Sequence, residues 1–275
     1  MSSIHDEAST HDDHPSCADY QLLTTTRYDN VLSSLRWNND SDGPSPFLLL
    51  PYHFHRLISA AEEHGWIAAK NALNYSALKL KCQDAVSADS EDSFLKAFRM
   101  RICVSYEGAV DVSITPASSL LTDPTAASFY NPTTDDNTSL YGPVVTVRID
   151  TQSTSPSIFT STKTTKRTVY DDARSRNGIP PLSNPQGRAS DVLLYNSENM
   201  VTETTIFNFA LYRSSHWITP SAKTGCLPGV VRRWLLEQGR IQEDREGLLT
   251  KDSIKPGEWV LLFNGAQGCR LGQIA

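Results

Sequence analysis

The sequence lacks a long apolar run and a basic excess, and each absence removes a class of protein. No run of about 18 apolar residues occurs, which is the length that a membrane-spanning helix needs. The formal net charge is −6, and no basic stripe interleaved with aromatic residues is present, whereas phosphate binding usually leaves a basic patch. We therefore expect neither a membrane span nor a nucleic-acid partner.

Cysteine is also scarce. The five cysteines are an odd number, widely spaced and without a C-x-x-C pair: Cys17, Cys82, Cys103, Cys226 and Cys269. Such a set fits neither a disulfide framework nor a zinc site, so no metal centre is expected. It favours a reducing compartment, and we expect the cytoplasm.

The first 19 residues lack the apolar segment of a secretory signal, and they are too acidic for a transit peptide. His5, His11 and His14 stand close to aspartates and could ligate a metal ion. The polar, acidic composition is more typical of a disordered tail, which we assign to residues 1–19.

Two patterned blocks follow, on either side of a polar segment. Residues 20–120 contain a strand pattern, helical patterns and a hairpin pattern in "AFRMRICVSYEGAVDVSITP", and they predict a small N-terminal α/β domain. Residues 121–142 are rich in Ser, Thr, Pro, Asp and Asn, as expected of a flexible interdomain loop. Residues 143–275 form the larger C-terminal domain. The fold class is therefore α+β (α/β), in two lobes.

A carboxylate interrupts the best strand pattern of the second block. "NMVTETTIFNFALY", residues 199–212, is rich in β-branched and aromatic residues, and alternation places Glu203 on one face with Val201, Thr205 and Phe207. Glu203 either points to water from an edge strand or is buried, and burial would require a cationic partner. The window alone leaves both interpretations open.

Two other features of this block fit a buried Glu203. Lys163 lies in "TSTKTTKR", between a strand and a helix, and "LPGVVRR" begins a helix whose free N–H groups would favour an anion. A lysine for the Schiff base, a carboxylate for the ring nitrogen and a helix start for the phosphate are what a pyridoxal phosphate site needs. Taken alone, a lysine is usually a solvated surface charge.

The order of these segments resembles the class IV, or fold-type IV, pyridoxal-phosphate enzymes. The stretch from "VTETTIFNF" to "LPGVVRRWLLEQG" is similar to the family's longest signature, with Glu203, Asn208, Thr219–Pro220, Gly229 and Arg232 in place. "YHFHRLISAA" resembles the family's H-x-x-R-L segment and supplies His53 and Arg56. "KTTKRTVYDDAR" resembles the lyase branch, in which the Schiff-base lysine precedes an arginine by four residues. That spacing selects Lys163, followed by Arg167, over Lys166.

The resemblance implies a D-amino acid aminotransferase-like fold, pyridoxal 5'-phosphate as cofactor and Lys163 as the catalytic residue. Asn208 is expected to be structural. Gly265 stands where many relatives have Ser or Thr, so a hydroxyl contact to the phosphate is expected to be lost. The cofactor-binding residues that the resemblance implies are Arg56, Lys163, Glu203, Val230, Val231, Gly265 and Ala266.

Within the family the chain is most similar to fungal 4-amino-4-deoxychorismate lyases, as in "LLTTTRYD", "FLLLPYHFHRL" and "NGAQGCRLGQI". This implies a homodimer that takes a small-molecule amine and releases pyruvate and 4-aminobenzoate, the folate precursor. The alternatives are a class IV transaminase of D-amino acids, branched-chain amino acids or amines, and a non-catalytic homologue that binds the cofactor. Arg27, Arg99 and Arg101 are candidates to bind the substrate carboxylates, although each could be a surface charge instead.

Overall fold

The computed structural model describes residues 19–88, 97–182 and 189–275, so the tail predicted over residues 1–19 lies outside it except for Asp19. None of the helices in these ranges has the length and apolar character needed to cross a membrane. In chain order, the elements of the first half are β1 (Leu22–Asp29), β2 (Asn39–Asp40), β3 (Gly43–Pro44), α1 (Leu50–Glu63), α2 (Ile67–Ala72), α3 (Tyr75–Ser87), β4 (Ala97–Val104) and β5 (Val110–Ala117).

The first sheet is antiparallel, in the order β1-β4-β5. Alternation along β4 turns Phe98, Met100 and Ile102 toward a core formed with the helices, where all three are buried. The residues between them, Arg99 and Arg101, consequently lie on the opposite face. The hairpin predicted for this segment is confirmed, with β4 paired to β5.

The second half of the chain builds a mixed sheet. Its elements are β6 (Val145–Ile149), α4 (Ile158–Ser161), α5 (Thr168–Arg176), β7 (Ser190–Tyr195), β8 (Val201–Thr204), β9 (Asn208–Arg213), β10 (His216–Thr219), α6 (Val230–Glu237), β11 (Gln242–Glu243), β12 (Trp259–Asn264) and β13 (Gly268–Ile274). Eight strands follow the order β11-β10-β9-β12-β13-β6-β7-β8. β8 therefore ends the sheet on one side.

The strand predicted over residues 199–212 is wrong in one respect, because the chain forms two strands there. A tight turn separates β8 from β9: the Thr204 N–H donates to the Phe207 carbonyl at 2.8 Å, and the Phe207 N–H donates to Thr204 Oγ1 at 3.0 Å. The turn ends the alternation on which the shared face of Glu203, Thr205 and Phe207 depended. Instead it brings Glu203 and Asn208 together across the bend.

The polar segment between the two sheets is packed rather than loose. Trp217 Nε1 donates to the Tyr130 carbonyl at 3.1 Å, and Arg240 donates to Thr125 Oγ1 at 2.8 Å. Tyr130 also shares a buried cluster with Leu48 from the first half and Trp234 from the second. The segment therefore makes buried contacts with both halves, and its assignment as an interdomain loop stays a prediction. The domain boundaries at 20–120 and 143–275 stay a prediction.

Candidate active site

Lys163 belongs to the second half of the chain but is held by the first sheet. Its segment runs between α4 and α5, and the Leu23 N–H donates to the Lys163 carbonyl at 2.8 Å. Two residues on, the Thr165 N–H donates to the Gln21 carbonyl at 2.9 Å. The segment thus adds to the start of β1, and this fixes the backbone of Lys163 where the two sheets meet.

The environment of Lys163 differs from that of Lys166. Lys163 keeps part of its surface exposed, but its ammonium is surrounded by protein atoms. Burial, together with the charges of Arg56 and Arg167, lowers the pKa of Lys163 to about 7. The charge of Glu203 acts in the opposite direction. Lys166 is exposed, and its ammonium lies 4.8 Å from the centre of the Phe159 ring. The geometry therefore favours Lys163 as the reactive amine.

Glu203 is buried, with 5% of its surface exposed, although β8 is an edge strand. The Tyr170 hydroxyl donates to its Oε1 at 2.8 Å, and Asn208 Nδ2 donates to its Oε2 at 3.4 Å. Burial raises the pKa of Glu203 to about 7, while the Tyr170 hydrogen bond and the charge of Lys163 act in the opposite direction. The interpretation of Glu203 as a carboxylate that points to water is wrong.

Arg56 is a half-buried cation with no acidic partner among the described residues. Its guanidinium donates to Thr24 Oγ1, and its Nε has no hydrogen-bond partner among the described residues. Burial alone lowers the pKa of Arg56 to about 10, and no carboxylate offsets it. Beside it, His53 Nδ1 lies 2.6 Å from Thr24 Oγ1, and His53 Nε2 is likewise without a partner in the described part of the chain. Unpaired buried donors beside a half-buried cation are suited to an anion.

The turn between β12 and β13 lies against His53. A Cβ added to Gly265 would stand 2.8 Å from His53 Nε2 and 2.9 Å from the Thr25 carbonyl, which is too close. The histidine therefore occupies the space that a Ser or Thr side chain would need. The neighbouring Ala266 N–H already donates to Asn264 Oδ1 at 3.0 Å, so an anion here would have to share it.

The start of α6 carries no side-chain cap. Gly229 is its N-cap residue, and the N–H groups of Val230 and Val231 in the first turn have no acceptor within the helix. Asn208 closes one side: its Nδ2 donates to the Leu227 carbonyl at 2.8 Å, and its Oδ1 fills the position that a Cβ on Gly229 would take. Both contacts agree with a structural role for Asn208.

The three arginines proposed for the substrate separate into two groups. Arg27 is buried and bound to Asp29, at 2.7 Å, and to the Ser118 carbonyl, so it is not available as a substrate ligand. Arg99 and Arg101 lie opposite Arg27 and Thr25 in the β1–β4 register. Burial, followed by the charges of Arg101 and Arg167, lowers the pKa of Arg99, and its charge also acts on Lys163. The structure thus places Arg99 within reach of the Lys163 charge and Arg101 beside Arg99, whereas Arg27 is already paired with Asp29.

Tyr170 is a site residue that the sequence motifs did not reveal. It lies on α5, seven residues after Lys163, with 7% of its surface exposed. Arg167 immediately precedes α5, and its guanidinium lies 5.0 Å from the Tyr170 ring centre. No motif specifies a tyrosine there, so only its placement three residues after Arg167 could have indicated it.

These residues fit pyridoxal phosphate at three points. Arg56, with the start of α6, offers unpaired donors for a phosphate, Lys163 offers an amine of lowered pKa, and Glu203 offers a buried carboxylate for a ring nitrogen. No group of three or more His, Cys, Asp or Glu side chains that could hold a metal ion occurs in residues 19–88, 97–182 and 189–275.

Comparison with known proteins places the chain in a family. The amino-transferase class IV model matches residues 31–271. A Schizosaccharomyces pombe protein, provisionally named an aminodeoxychorismate lyase, is 36% identical over 243 residues, which are 88% of this chain and 84% of the relative. The aminodeoxychorismate lyase of Saccharomyces cerevisiae is 33% identical over 197 residues, 65% of this chain and 52% of the relative.

Solved structures agree on the fold. A protein of Mesorhizobium loti, provisionally named an amino-acid aminotransferase, superposes with a TM-score of 0.64 at 22% identity; the match covers 94% of this chain and 100% of that chain. The predicted two-lobed, fold-type IV architecture is confirmed. The chain belongs to the class IV aminotransferase family.

Proposed function

We propose that this member of the class IV family is a pyridoxal-phosphate-dependent lyase that converts 4-amino-4-deoxychorismate into 4-aminobenzoate and pyruvate. The observation that carries the proposal is that Glu203 from β8, Arg56 from α1 and Arg99 from β4 all act on the Lys163 ammonium. The two yeast relatives named for this reaction supply the choice of substrate. Arg56, the N–H groups of Val230 and Val231 and the Gly265–Ala266 turn bind the cofactor phosphate in this proposal.

Lys163 and Glu203 have different tasks. The bound cofactor supplies an electron sink for the carbon that loses its proton. Lys163 would hold the cofactor covalently and, when its amine is free, would remove the proton from the amine-bearing carbon; a pKa of about 7 suits proton exchange near neutral pH. Glu203 would keep a proton on the ring nitrogen. Its buried carboxylate would thereby gain a cationic partner in addition to the charges of Lys163 and Arg167.

In the proposed elimination, all atoms and electrons of the substrate are accounted for in the two products, so no second substrate is needed. The C–H bond at the amine-bearing carbon breaks, the C–O bond to the enolpyruvyl group breaks, and the ring becomes aromatic. Lys163 returns the proton to the departing group, which leaves as pyruvate. No oxidant and no keto acid takes part, whereas transamination needs a keto acid to regenerate the cofactor.

Arg99 and Arg101 are proposed to bind the two carboxylates of the substrate. Both lie on the polar face of the first sheet, and neither has an acidic partner among the described residues. Aminodeoxychorismate carries two carboxylates, whereas a branched-chain or simple D-amino acid carries one. A pair of arginines therefore favours the lyase substrate over the transaminase substrates.

Replacing these arginines tests their role against a built-in control. Arg99→Gln and Arg101→Gln should each raise the KM by about tenfold, the usual loss for one charge-assisted contact. Arg27→Gln should instead lower stability, because Asp29 would remain buried and unpaired, and should leave the KM unchanged. Steady-state kinetics and thermal unfolding distinguish the two effects. An unchanged KM in both β4 variants would remove these arginines from the site.

The assembly and location are part of the proposal. Leu121 and Leu140, in the chain segment that connects the two sheets, are 96% and 71% exposed. Such exposure is unusual for leucine and fits coverage by a second copy of the chain. We propose a homodimer, as the family resemblance implies, acting in the cytoplasm. Sedimentation of the purified chain would test the dimer.

The deciding experiment is incubation of the chain with pyridoxal phosphate and 4-amino-4-deoxychorismate, without a keto acid. Release of pyruvate and 4-aminobenzoate in equal amounts supports the lyase. Conversion of the cofactor to its amine form by D-alanine or an aromatic amine, with no reaction of aminodeoxychorismate, would establish the transaminase instead. Cofactor binding without either reaction would establish the non-catalytic homologue.

A further inference from the structure

Tyr170 makes the shortest described hydrogen bond to Glu203. Its hydroxyl donates to Oε1 at 2.8 Å, compared with 3.4 Å for Asn208 Nδ2 to Oε2. Burial, with the nearby charge of Glu203, raises the pKa of Tyr170 well above its usual value, so the phenol keeps its proton and acts as a neutral donor. The bond therefore has a fixed direction, from tyrosine to carboxylate.

The tyrosine ring is held rigidly in place. It packs in a buried cluster with Ala173, Val192 and Leu194, and the Arg167 guanidinium covers one side of it. Arg167 is itself fixed, because it donates to the Thr205 carbonyl at 2.8 Å. A rigid ring places the hydroxyl at Oε1 without loss of side-chain entropy when a ligand arrives.

The other groups that face Glu203 act on it less strongly than this donor. Lys163 and Arg167 lower the pKa of Glu203 through their charges, and the Leu227 backbone lowers it through a hydrogen bond. Cys226 is a buried thiol whose own pKa is raised by burial. Among these favourable contacts, the Tyr170 hydrogen bond lowers the pKa of Glu203 most. The Tyr170 hydroxyl, by contrast, is a neutral donor on a packed ring.

We propose that Tyr170 is a positioning residue for Glu203. Its hydroxyl fixes the position of Oε1 and favours the ionised form of the buried side chain. The carboxylate is then oriented to accept a hydrogen bond from a protonated ring nitrogen. The inference rests on the proposed role of Glu203 toward the cofactor. The segment that begins at Lys163 would then have two roles. It supplies the reactive lysine and, through Tyr170 on α5, the hydroxyl that orients the Glu203 carboxylate.

The test is the titration of Glu203 in full-length Tyr170→Phe, which removes one oxygen atom. Infrared difference spectra of the chain, with and without pyridoxal phosphate, follow the carboxyl band, which Glu203→Gln identifies. Loss of a hydrogen bond to the charged form should raise the midpoint by about one pH unit or more. With cofactor bound, the pH profile of kcat should shift in the same direction. Tyr195→Phe is the matched control: Tyr195 is similarly buried, and its hydroxyl accepts a hydrogen bond from Lys251 Nζ.

An unchanged midpoint in a folded Tyr170→Phe protein would overturn the proposal. If that variant does not fold, incorporation of 3-fluorotyrosine into the native chain gives a second test. One fluorine resonance should follow the Glu203 titration and should stop doing so in Glu203→Gln; the absence of such a resonance would equally overturn it. The titration needs no substrate, so failure of the lyase reaction would contradict the proposed function and leave this result standing.

Discussion

The two ends of the candidate site are built in opposite ways. At one end, His53 and Arg56 keep buried nitrogen atoms without partners among the described residues. At the other end, both oxygens of Glu203 accept hydrogen bonds, from Tyr170 and Asn208. The first end therefore has room for an anion, whereas the second is already organised. In the proposed function, the cofactor phosphate would compensate the charge of Arg56, whereas the protein itself sets the protonation state of Glu203.

The two ends also come from different parts of the chain. Arg56 lies on α1, whereas Glu203 and its partners lie on β8, β9 and α5. Lys163 stands between them, with its charge acting against Arg56 and in favour of Glu203. Variants of each part should therefore give distinct results, and four predictions follow from that contrast.

Loss of Lys163 should have the largest effect, because it removes the covalent link and the proton carrier at once. Lys163→Ala should abolish turnover and the absorbance band of the covalently bound cofactor. Lys166→Ala is the matched control and should keep both, since Lys166 is exposed. Absorbance spectra and borohydride trapping followed by peptide mapping check the assignment. Trapping at Lys166 would transfer the role to it.

At the organised end, Glu203→Gln should slow the reaction by about two to four orders of magnitude. The amide keeps the size of the side chain but cannot hold a proton on the ring nitrogen, so the carbanion loses its electron sink. Cofactor affinity should change much less than kcat. Near-normal turnover in this variant would mean that Glu203 is only a buried structural residue.

At the first end, Arg56→Met should change two quantities in opposite directions. Cofactor affinity should fall by about 10- to 100-fold, because a charge-assisted contact to phosphate is lost. The chain without cofactor should become more stable, since a half-buried cation with no acidic partner among the described residues is removed. Cofactor titration and denaturant unfolding measure the two effects. Loss of stability without loss of affinity would show that Arg56 is structural.

The sequence contained much of the site because its motifs are local. Lys163 and Arg167 are four residues apart, and His53 and Arg56 three apart on one helix, so each pair falls within one short segment in which the resemblance to the family could be recognised. The buried state of Glu203 followed once a site was inferred around it. The sequence shows glycine at position 265, where many relatives have Ser or Thr. Only the fold shows a reason, since His53 lies too close to leave room for a larger side chain.

The features that the sequence did not reveal depend on contacts between distant segments. The alternation of side chains along residues 199–212 does not predict the turn that the hydrogen bond between Phe207 and Thr204 closes. Arg27 was a reasonable substrate ligand until Asp29, two residues away on the same face, proved to bind it. Tyr170 belongs to no motif, and its meeting with Glu203 joins positions 33 residues apart.

The smallest expected effect is a pH dependence of stability with opposite sign at the two ends. Burial raises the pKa of Glu203 above its unfolded value of 4.5, so its contribution to stability is present below that value and is lost as the pH rises toward 7. Burial lowers the pKa of His53 below its unfolded value of 6.5, so its contribution is present above that value and is lost as the pH falls. In the chain without cofactor, Glu203→Gln should therefore gain stability over the native chain as the pH rises from 5 to 7, by on the order of 1–3 kcal/mol. His53→Gln should lose less stability than the native chain as the pH falls through the same range. Unfolding by urea at several pH values measures both slopes, and slopes of the same sign would contradict the contrast between the two ends.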